Sequence, residues 1–180
     1  MRPLILTASA ALALGLANAW AEPKAIENMP EEPPYKMPKP VQATAEAPES
    51  AAGKTLLFSY QEGAGIRSRD CAPDGKETPW SAWTKLVAAT RGNYTFDAQN
   101  THTATSGGGG AAEYRTTVTY KKISKGEALV TNETVAVGNP YKDTTTYRLV
   151  FTTPTSGIAY GHNINSEFEN EMTHIHFTLK

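Results

Sequence analysis

The chain has 180 residues, with 17 Lys and Arg against 18 Asp and Glu, so its net charge is −1. This balance lacks the basic excess of nucleic-acid-binding proteins, and the absence of an 18-residue apolar run excludes a multi-span helical membrane protein. The hydrophobic fraction of 39% argues against wholesale disorder, and a single cysteine excludes a disulfide framework or a four-cysteine zinc site.

The first 21 residues have the pattern of a secretory signal. Arg2 precedes the apolar stretch 4–16, and two overlapping small-x-small sites follow at 17–19 and 19–21. A stretch of about 13 residues forms roughly 20 Å of helix, which is shorter than the roughly 30 Å hydrocarbon core. The pattern therefore predicts a cleaved signal peptide and a secreted or periplasmic protein, with an uncleaved anchor as the alternative.

Residues 22–50 have the composition of a linker. They contain seven of the chain's twelve prolines, with six Glu against three Lys and few apolar side chains. Proline fixes φ and pushes the preceding residue towards extended geometry. We therefore predict a disordered, solvated, polyproline-like spacer rather than a packed segment.

From residue 51 to 180 the pattern is that of β-strands. Thr accounts for 21 of these 130 residues, and short runs alternate apolar with polar side chains. In 114–121, 144–152 and 174–180, one side of each run is apolar and the other polar. Strands wet on one side favour an antiparallel sheet.

Turn-forming Gly, Pro, Asn and Asp residues separate these runs. The sequence thus predicts an all-β domain of about eight strands, either an up-and-down barrel or a sandwich. The predicted strands are 54–61, 83–89, 93–99, 112–121, 128–136, 144–152, 157–163 and 172–180. Residues 66–82 carry no clear periodicity.

Several phrases of the domain resemble a known class of β-domain. They are Gly53-Lys54-Thr55-Leu56, Gly92-Asn93-Tyr94-Thr95-Phe96, Thr146 to Phe151, Thr152 to Ala159 and His176-Phe177-Thr178-Leu179. They resemble small secreted bacterial β-domains of calycin-like type, which are lipocalin-type up-and-down barrels. The resemblance covers residues 53–180 and implies an exported barrel with an apolar interior able to hold a small ligand.

Aromatic residues are the candidate ligand contacts. The inward positions of the predicted strands that would line such a cavity are Phe58, Tyr94, Phe96, Tyr120, Tyr147 and Phe151. Trp80 and Trp83 could form a stacking rim, although tryptophan also commonly fills a core. We expect a small apolar or carbohydrate ligand, or a cell-envelope partner, and no cofactor.

Histidines are the candidate metal ligands. His174 and His176 share one side of a predicted strand, about 7 Å apart, and His162 could complete a site from the neighbouring strand. The alternative is that these histidines are polar residues on an exposed face. Cys71 is an unpaired thiol, either buried or able to link two chains.

The sequence therefore favours an exported, non-catalytic binding domain. A structural or adhesive surface module, in which edge strands pair with a partner, is the second reading. A histidine-based metalloenzyme or hydrolase is the third, since no Gly-x-Ser-x-Gly elbow is present to indicate a serine hydrolase.

Overall fold

The computed structural model describes residues 34–61, 63–71, 78–86, 91–107 and 112–180, which belong to one unit spanning Pro34–Lys180. The predicted signal peptide and the first part of the predicted linker lie outside these residues. Within the described ranges the secondary structure is entirely β, with no helix. Accordingly, none of the described segments offers a helix long and apolar enough to cross a membrane.

Ten strands are present in the described residues. They are β1 (Thr55–Ser59), β2 (Gly65–Asp70), β3 (Thr84–Lys85), β4 (Arg91–Thr95), β5 (Thr101–Ser106), β6 (Tyr114–Lys122), β7 (Glu127–Ala136), β8 (Lys142–Thr153), β9 (Ser156–Ile164) and β10 (Phe168–Leu179).

All ten strands belong to one antiparallel sheet. Strands β5 to β10 form a meander in which each strand pairs with the next along the chain. On its other side, β10 pairs with β2 along its first half and with β1 along its second half. Strand β3 then pairs with β2, and β4 pairs with β1.

Strands β1 and β2 together occupy the place of one long strand with a break in it. β1 and β2 lie end to end along the same edge of β10, and the break between them lies opposite a bulge in β10 between Met172 and Ile175. In the described residues no ladder joins β4 to β5, so the sheet is not closed into a barrel.

The predicted fold class is confirmed, because the described residues form a single antiparallel all-β domain. The strands differ in detail. The stretch 66–82, left unassigned from the sequence, contains β2, and β5 lies where no strand was expected. The run expected at 83–89 is a strand only at Thr84–Lys85 within the described residues.

The sheet curls around one hydrophobic core. The ring of Phe58 on β1 lies 4.4 Å from that of Tyr147 on β8, although β10 and β9 separate these strands in the sheet. Phe58, Phe96 and Phe151 are at most 2% exposed. Burying a side chain of this size stabilises a fold by roughly 1.5–3 kcal/mol, so the inner face supplies the main stabilisation.

Residues 34–50, hereafter the strap, lie along the sheet and are bonded to it, with most of their side chains exposed. The amides of Thr44 and Ala45 donate to the Phe151 carbonyl, and the amide of Ala47 donates to Lys125. Ala47 is 1% exposed and belongs to the core. Over 34–50, the spacer predicted for 22–50 is therefore attached to the sheet. Backbone amides bonded to the sheet, and alanines small enough to fit against it, hold this segment there.

Candidate ligand-binding groove

The aromatic residues that were predicted to line an interior cavity pack against one another. Besides the Phe58–Tyr147 pair, the rings of Phe151 and Phe177 are 4.9 Å apart, and those of Phe96 and Tyr120 are 6.1 Å apart. These separations are typical of aromatic rings in contact. The aromatic surface that could have lined a chamber is therefore used in the core.

Two predicted interior tyrosines keep polar partners. The Asn132 amide donates to the Tyr94 hydroxyl at 3.1 Å, and burial raises the Tyr94 pKa. Burial also raises the Tyr147 pKa, and the neighbouring hydroxyls of Tyr60 and Tyr94 raise it further. Both phenols stay protonated at ordinary pH, as a packed core requires.

The three predicted metal ligands are spread along the sheet. His162 pairs with Glu171 of β10. His176 lies five residues farther along β10, so the backbones of His162 and His176 are on the order of 15 Å apart. Both ring nitrogens of His174 have protein partners, the Thr173 hydroxyl and the Lys39 carbonyl. In the described part of the chain, no three His, Cys, Asp or Glu residues are grouped so as to hold a metal ion.

A groove of about 390 Å³ lies where the strap crosses the outer face of the sheet. Strap residues form its roof, β9 and β10 form its floor, and one tryptophan forms a wall. The residues that line it are Met37, Pro40, Trp83, Arg148, Tyr160, Gly161, His162, Glu171, Met172, Thr173 and His174.

The bulge in β10 shapes the floor of the groove. Thr173 and His174 together lie opposite Tyr160, and His174 adopts a φ of 52°, which is uncommon for a residue with a side chain. The imidazole meets the Tyr160 ring edge-on, with centroids 5.4 Å apart. His174 is thus on the outer side of the sheet as predicted, yet only 6% exposed.

The roof is fixed by three long-range hydrogen bonds. Tyr35 donates its hydroxyl hydrogen to the Gly63 carbonyl at 2.7 Å. The Val41 amide donates to the Tyr160 hydroxyl at 2.8 Å, and His174 donates to the Lys39 carbonyl at 2.9 Å. The Tyr35 ring also packs on Gly65, at the point where a Cβ would stand. Glycine is needed there for this close approach.

Behind the Trp83 wall, two arginines stack on tryptophans. The Arg67 guanidinium lies 4.6 Å from the Trp80 ring centre and 5.1 Å from that of Trp83, and Arg69 lies 4.7 Å from Trp80. The sequence anticipated these tryptophans as a rim. Only Trp83 reaches the groove, since Trp80 covers the two arginines beside it.

Ion pairs join these arginines to β10. Arg67 donates to Glu171 at 2.7 Å, and Arg69 donates to Glu169, which is only 8% exposed. The other Glu169 oxygen meets the His162 ring at 2.5 Å. The bond from Arg69, followed by that from His162, holds the Glu169 pKa below its usual range despite burial. The carboxylates beside the groove are therefore already neutralised by protein groups.

Arg148 stands apart from this network. Its guanidinium lies over the Tyr160 ring, 5.3 Å from the centre. Its side chain is 50% exposed, and the carboxylate oxygen of Glu127 is 3.8 Å away, beyond a close hydrogen bond. Arg148 is thus a loosely paired cation at the lip of the groove.

The sequence did not indicate Arg148, Tyr160 or the strap as parts of a site. In the sequence, Arg148 and Tyr160 look like ordinary polar positions on the outer side of strands. The register of β8 and β9 places them opposite each other. Cys71 is half-buried and unpaired, and it lies outside the groove.

Three comparisons, with protein-family models, with curated proteins and with solved structures, found no match to this chain. The likeness to calycin-like domains therefore stays a prediction from the sequence.

Proposed function

We propose that the protein is an exported, non-catalytic β-domain that binds a small ring-shaped ligand in the groove beneath the strap. The observation that carries this proposal is the groove itself, which combines the apolar side chains of Met37, Trp83 and Met172 with the polar groups of Arg148 and Glu171. Apolar walls with a few convergent polar groups are typical of small-molecule sites, and a volume of about 390 Å³ is within their usual range.

The packed interior supports the outer groove as the site. A lipocalin-type ligand would have to displace rings such as Phe58 and Phe151, which are at most 1% exposed and contact other aromatic rings. Removing such packing costs several kcal/mol. The groove exists without any such displacement.

Ion pairs order the charged side chains of the groove. Glu171 is paired with Arg67, and His162 with Glu169. These pairs hold the wall and floor in place, which is a binding role.

The test is ligand-detected NMR with a panel of neutral and acidic monosaccharides and short oligosaccharides, using Trp83→Ala beside Trp80→Ala. Trp83 lines the groove, while Trp80 stacks on the same arginine outside it, so Trp80→Ala is a matched control for stability. We expect Trp83→Ala to weaken binding at least tenfold and Trp80→Ala to leave it within threefold. Equal binding by both variants would refute the groove as the site.

Export has its own test. The mature protein isolated from its native host should begin after Ala19 or Ala21, as N-terminal sequencing would show. A mature protein that retains residues 1–19 would contradict the signal peptide.

A structural module is the second candidate because of the edge strand β5. Its residues Thr103–Ser106 are exposed, and the strand carries no Lys, Glu or Pro, the residues that commonly block edge pairing. Such an edge can accept a strand from a partner. The test is to measure molecular size across a dilution series. If this edge assembles, the native protein should form a concentration-dependent oligomer and the Thr103→Lys variant should not.

A further inference from the structure

We infer that the ligand of the groove is a saccharide bearing a carboxylate, and that Arg148 is the residue that binds the carboxylate. This inference rests on the proposed function, because it names the ligand class of the same groove. It follows from the charges that line the groove, from the geometry of the arginine and from the polar groups around it.

The charges at the groove favour an anion. Among the lining residues that the structure describes, Glu171 is the one carboxylate, and it is held by Arg67. Glu169, behind His162, is held by Arg69 and by His162 itself. These negative charges are thus satisfied from within the protein, while the one ion pair of Arg148 in the described part of the chain is the looser contact with Glu127.

Two lysines lie on the strap next to the residues that roof the groove. Lys36 and Lys39 are exposed on the strap segment that roofs the groove. Exposed charges of one sign around an opening attract ligands of the opposite sign, and the attraction weakens as salt is added. An anionic group would therefore be drawn to this side of the groove.

Arg148 is oriented before a ligand arrives. Its guanidinium lies over the Tyr160 ring, and that ring is fixed by the Val41 amide on one side and by the His174 imidazole on another. A planar guanidinium held in this way can offer two parallel N–H donors to a carboxylate. Stacking on the ring leaves the edge of the guanidinium available.

The remaining lining distinguishes a saccharide from a fatty acid. Glu171 offers acceptor oxygens, His162 and Arg148 offer ring and guanidinium nitrogens, and Trp83 offers an apolar surface. A sugar ring has an apolar C–H face and a belt of hydroxyls that both donate and accept. An aliphatic chain would leave the remaining hydrogen-bonding capacity of these groups unused, whereas the hydroxyls of a sugar can use it.

The experiment compares charged and uncharged forms of the same rings. Oligosaccharides of galacturonate, glucuronate and mannuronate are each titrated beside their methyl esters by calorimetry. Esterification removes the charge and leaves the ring hydroxyls in place. We expect at least one acid form to bind tenfold or more tightly than its ester, with an affinity that falls as salt is added.

Variants of arginine assign the effect to one side chain. Arg148→Gln should abolish the preference for the acid, and Arg148→Lys should retain part of it because lysine keeps the charge but loses the planar fork. Arg115→Gln, which alters an exposed arginine on β6, is the control and should preserve the preference.

The outcomes separate the inference from the proposed function. Equal affinity for acid and ester, with both weakened by Trp83→Ala, overturns the carboxylate and leaves groove binding intact. A preference for the acid that persists in Arg148→Gln overturns the role of Arg148. No binding by any acid or ester overturns a carboxylate-bearing saccharide as the ligand, and the proposed function then fails too if the neutral and acidic panel also shows no dependence on Trp83.

Discussion

The imidazole of His174 joins two parts of the chain that are 135 residues apart, because its Nε2 lies 2.9 Å from the Lys39 carbonyl oxygen. A carbonyl can only accept, so Nε2 carries the hydrogen, and Nδ1 can accept from the Thr173 hydroxyl. His174 thereby fixes the strap over the groove, and its left-handed backbone brings the ring to that position.

Replacing His174 should loosen the roof without unfolding the domain. His174→Asn keeps a residue that tolerates a φ of 52°, but its side chain is too short to replace the imidazole at the Lys39 carbonyl. We expect a loss of about 1 kcal/mol in unfolding free energy and faster hydrogen exchange at the Val41 amide. His176→Ala, on the same strand, is the control. Unchanged hydrogen exchange at the Val41 amide would contradict the role of His174 in holding the strap over the groove.

The contact between Tyr35 and Gly65 should appear as coupling in a double-mutant cycle. Gly65→Ala places a methyl group where the Tyr35 ring lies, and Tyr35→Ala removes that ring. Gly65→Ala should therefore destabilise the native chain by more than it destabilises the Tyr35→Ala background, with a coupling of at least 0.5 kcal/mol. Urea unfolding of the four proteins measures this difference. Additive effects would place the ring elsewhere.

The packed interior predicts a high cost for truncating Phe58. Phe58→Ala should lower the unfolding free energy by about 3–5 kcal/mol, since the ring is 1% exposed and contacts Tyr147 and Tyr94. Ile123→Ala, at an exposed position, should stay within about 0.5 kcal/mol of the native value. A small effect at Phe58 would revive the idea of a hollow interior.

Tyr120 predicts a loss of stability at alkaline pH. Burial, reinforced by the charge of Glu49, raises the pKa of its hydroxyl to about 12, and the hydroxyl donates to the Pro48 carbonyl at 2.7 Å. Because the folded pKa exceeds the unfolded value of about 10, this stabilisation is complete below pH 10 and is lost as the pH rises towards 12.

The measurement is unfolding free energy against pH, with Tyr120→Phe as the comparison. The native protein should lose its advantage over the variant across the alkaline window, while tyrosinate absorbance reports the ionisation. Parallel curves up to pH 12 would show that Tyr120 does not titrate as its surroundings require.

The lowered pKa of Glu169 predicts a corresponding loss of unfolding free energy at acid pH. Arg69 and His162 hold its pKa below the ordinary value, so the carboxylate stabilises the fold above a pH of about 4.3 and this contribution is lost as the pH falls through the lowered value. Glu169→Gln should therefore flatten the acid limb of the stability curve. Glu133→Gln should change it little, because both side chains of the Glu133–Lys142 pair are about half exposed.

The inner face of the sheet was readable from the sequence, and the reason is periodicity. Strands such as β6, β8 and β10 bury alternate large side chains, so the period of two is visible over many residues. Strand β5 was missed because Thr101–Ser106 contains no large apolar residue, and β2 was missed because Gly65–Asp70 contains one, Ile66. Their place in the sheet is set by their partners on β6 and β10.

The groove was beyond prediction for a different reason. Its roof comes from the strap, whose proline content indicates a solvated spacer, and its floor depends on a bulge that no local pattern in β10 announces. Trp83 was identified as a possible contact from residue type alone. Arg148 becomes distinctive only when tertiary contacts show which cations are already paired.

The order of the strap's bonds determines how the molecule responds to pulling. Force applied to the chain ahead of Pro34 reaches the bonds made by Tyr35, Lys39 and Val41 before those of Thr44 and Ala47. These bonds break one after another, as in peeling, whereas the ladders of the long strands share a load among many bonds. Tension on the N-terminal side therefore uncovers the groove while the sheet beneath it remains folded.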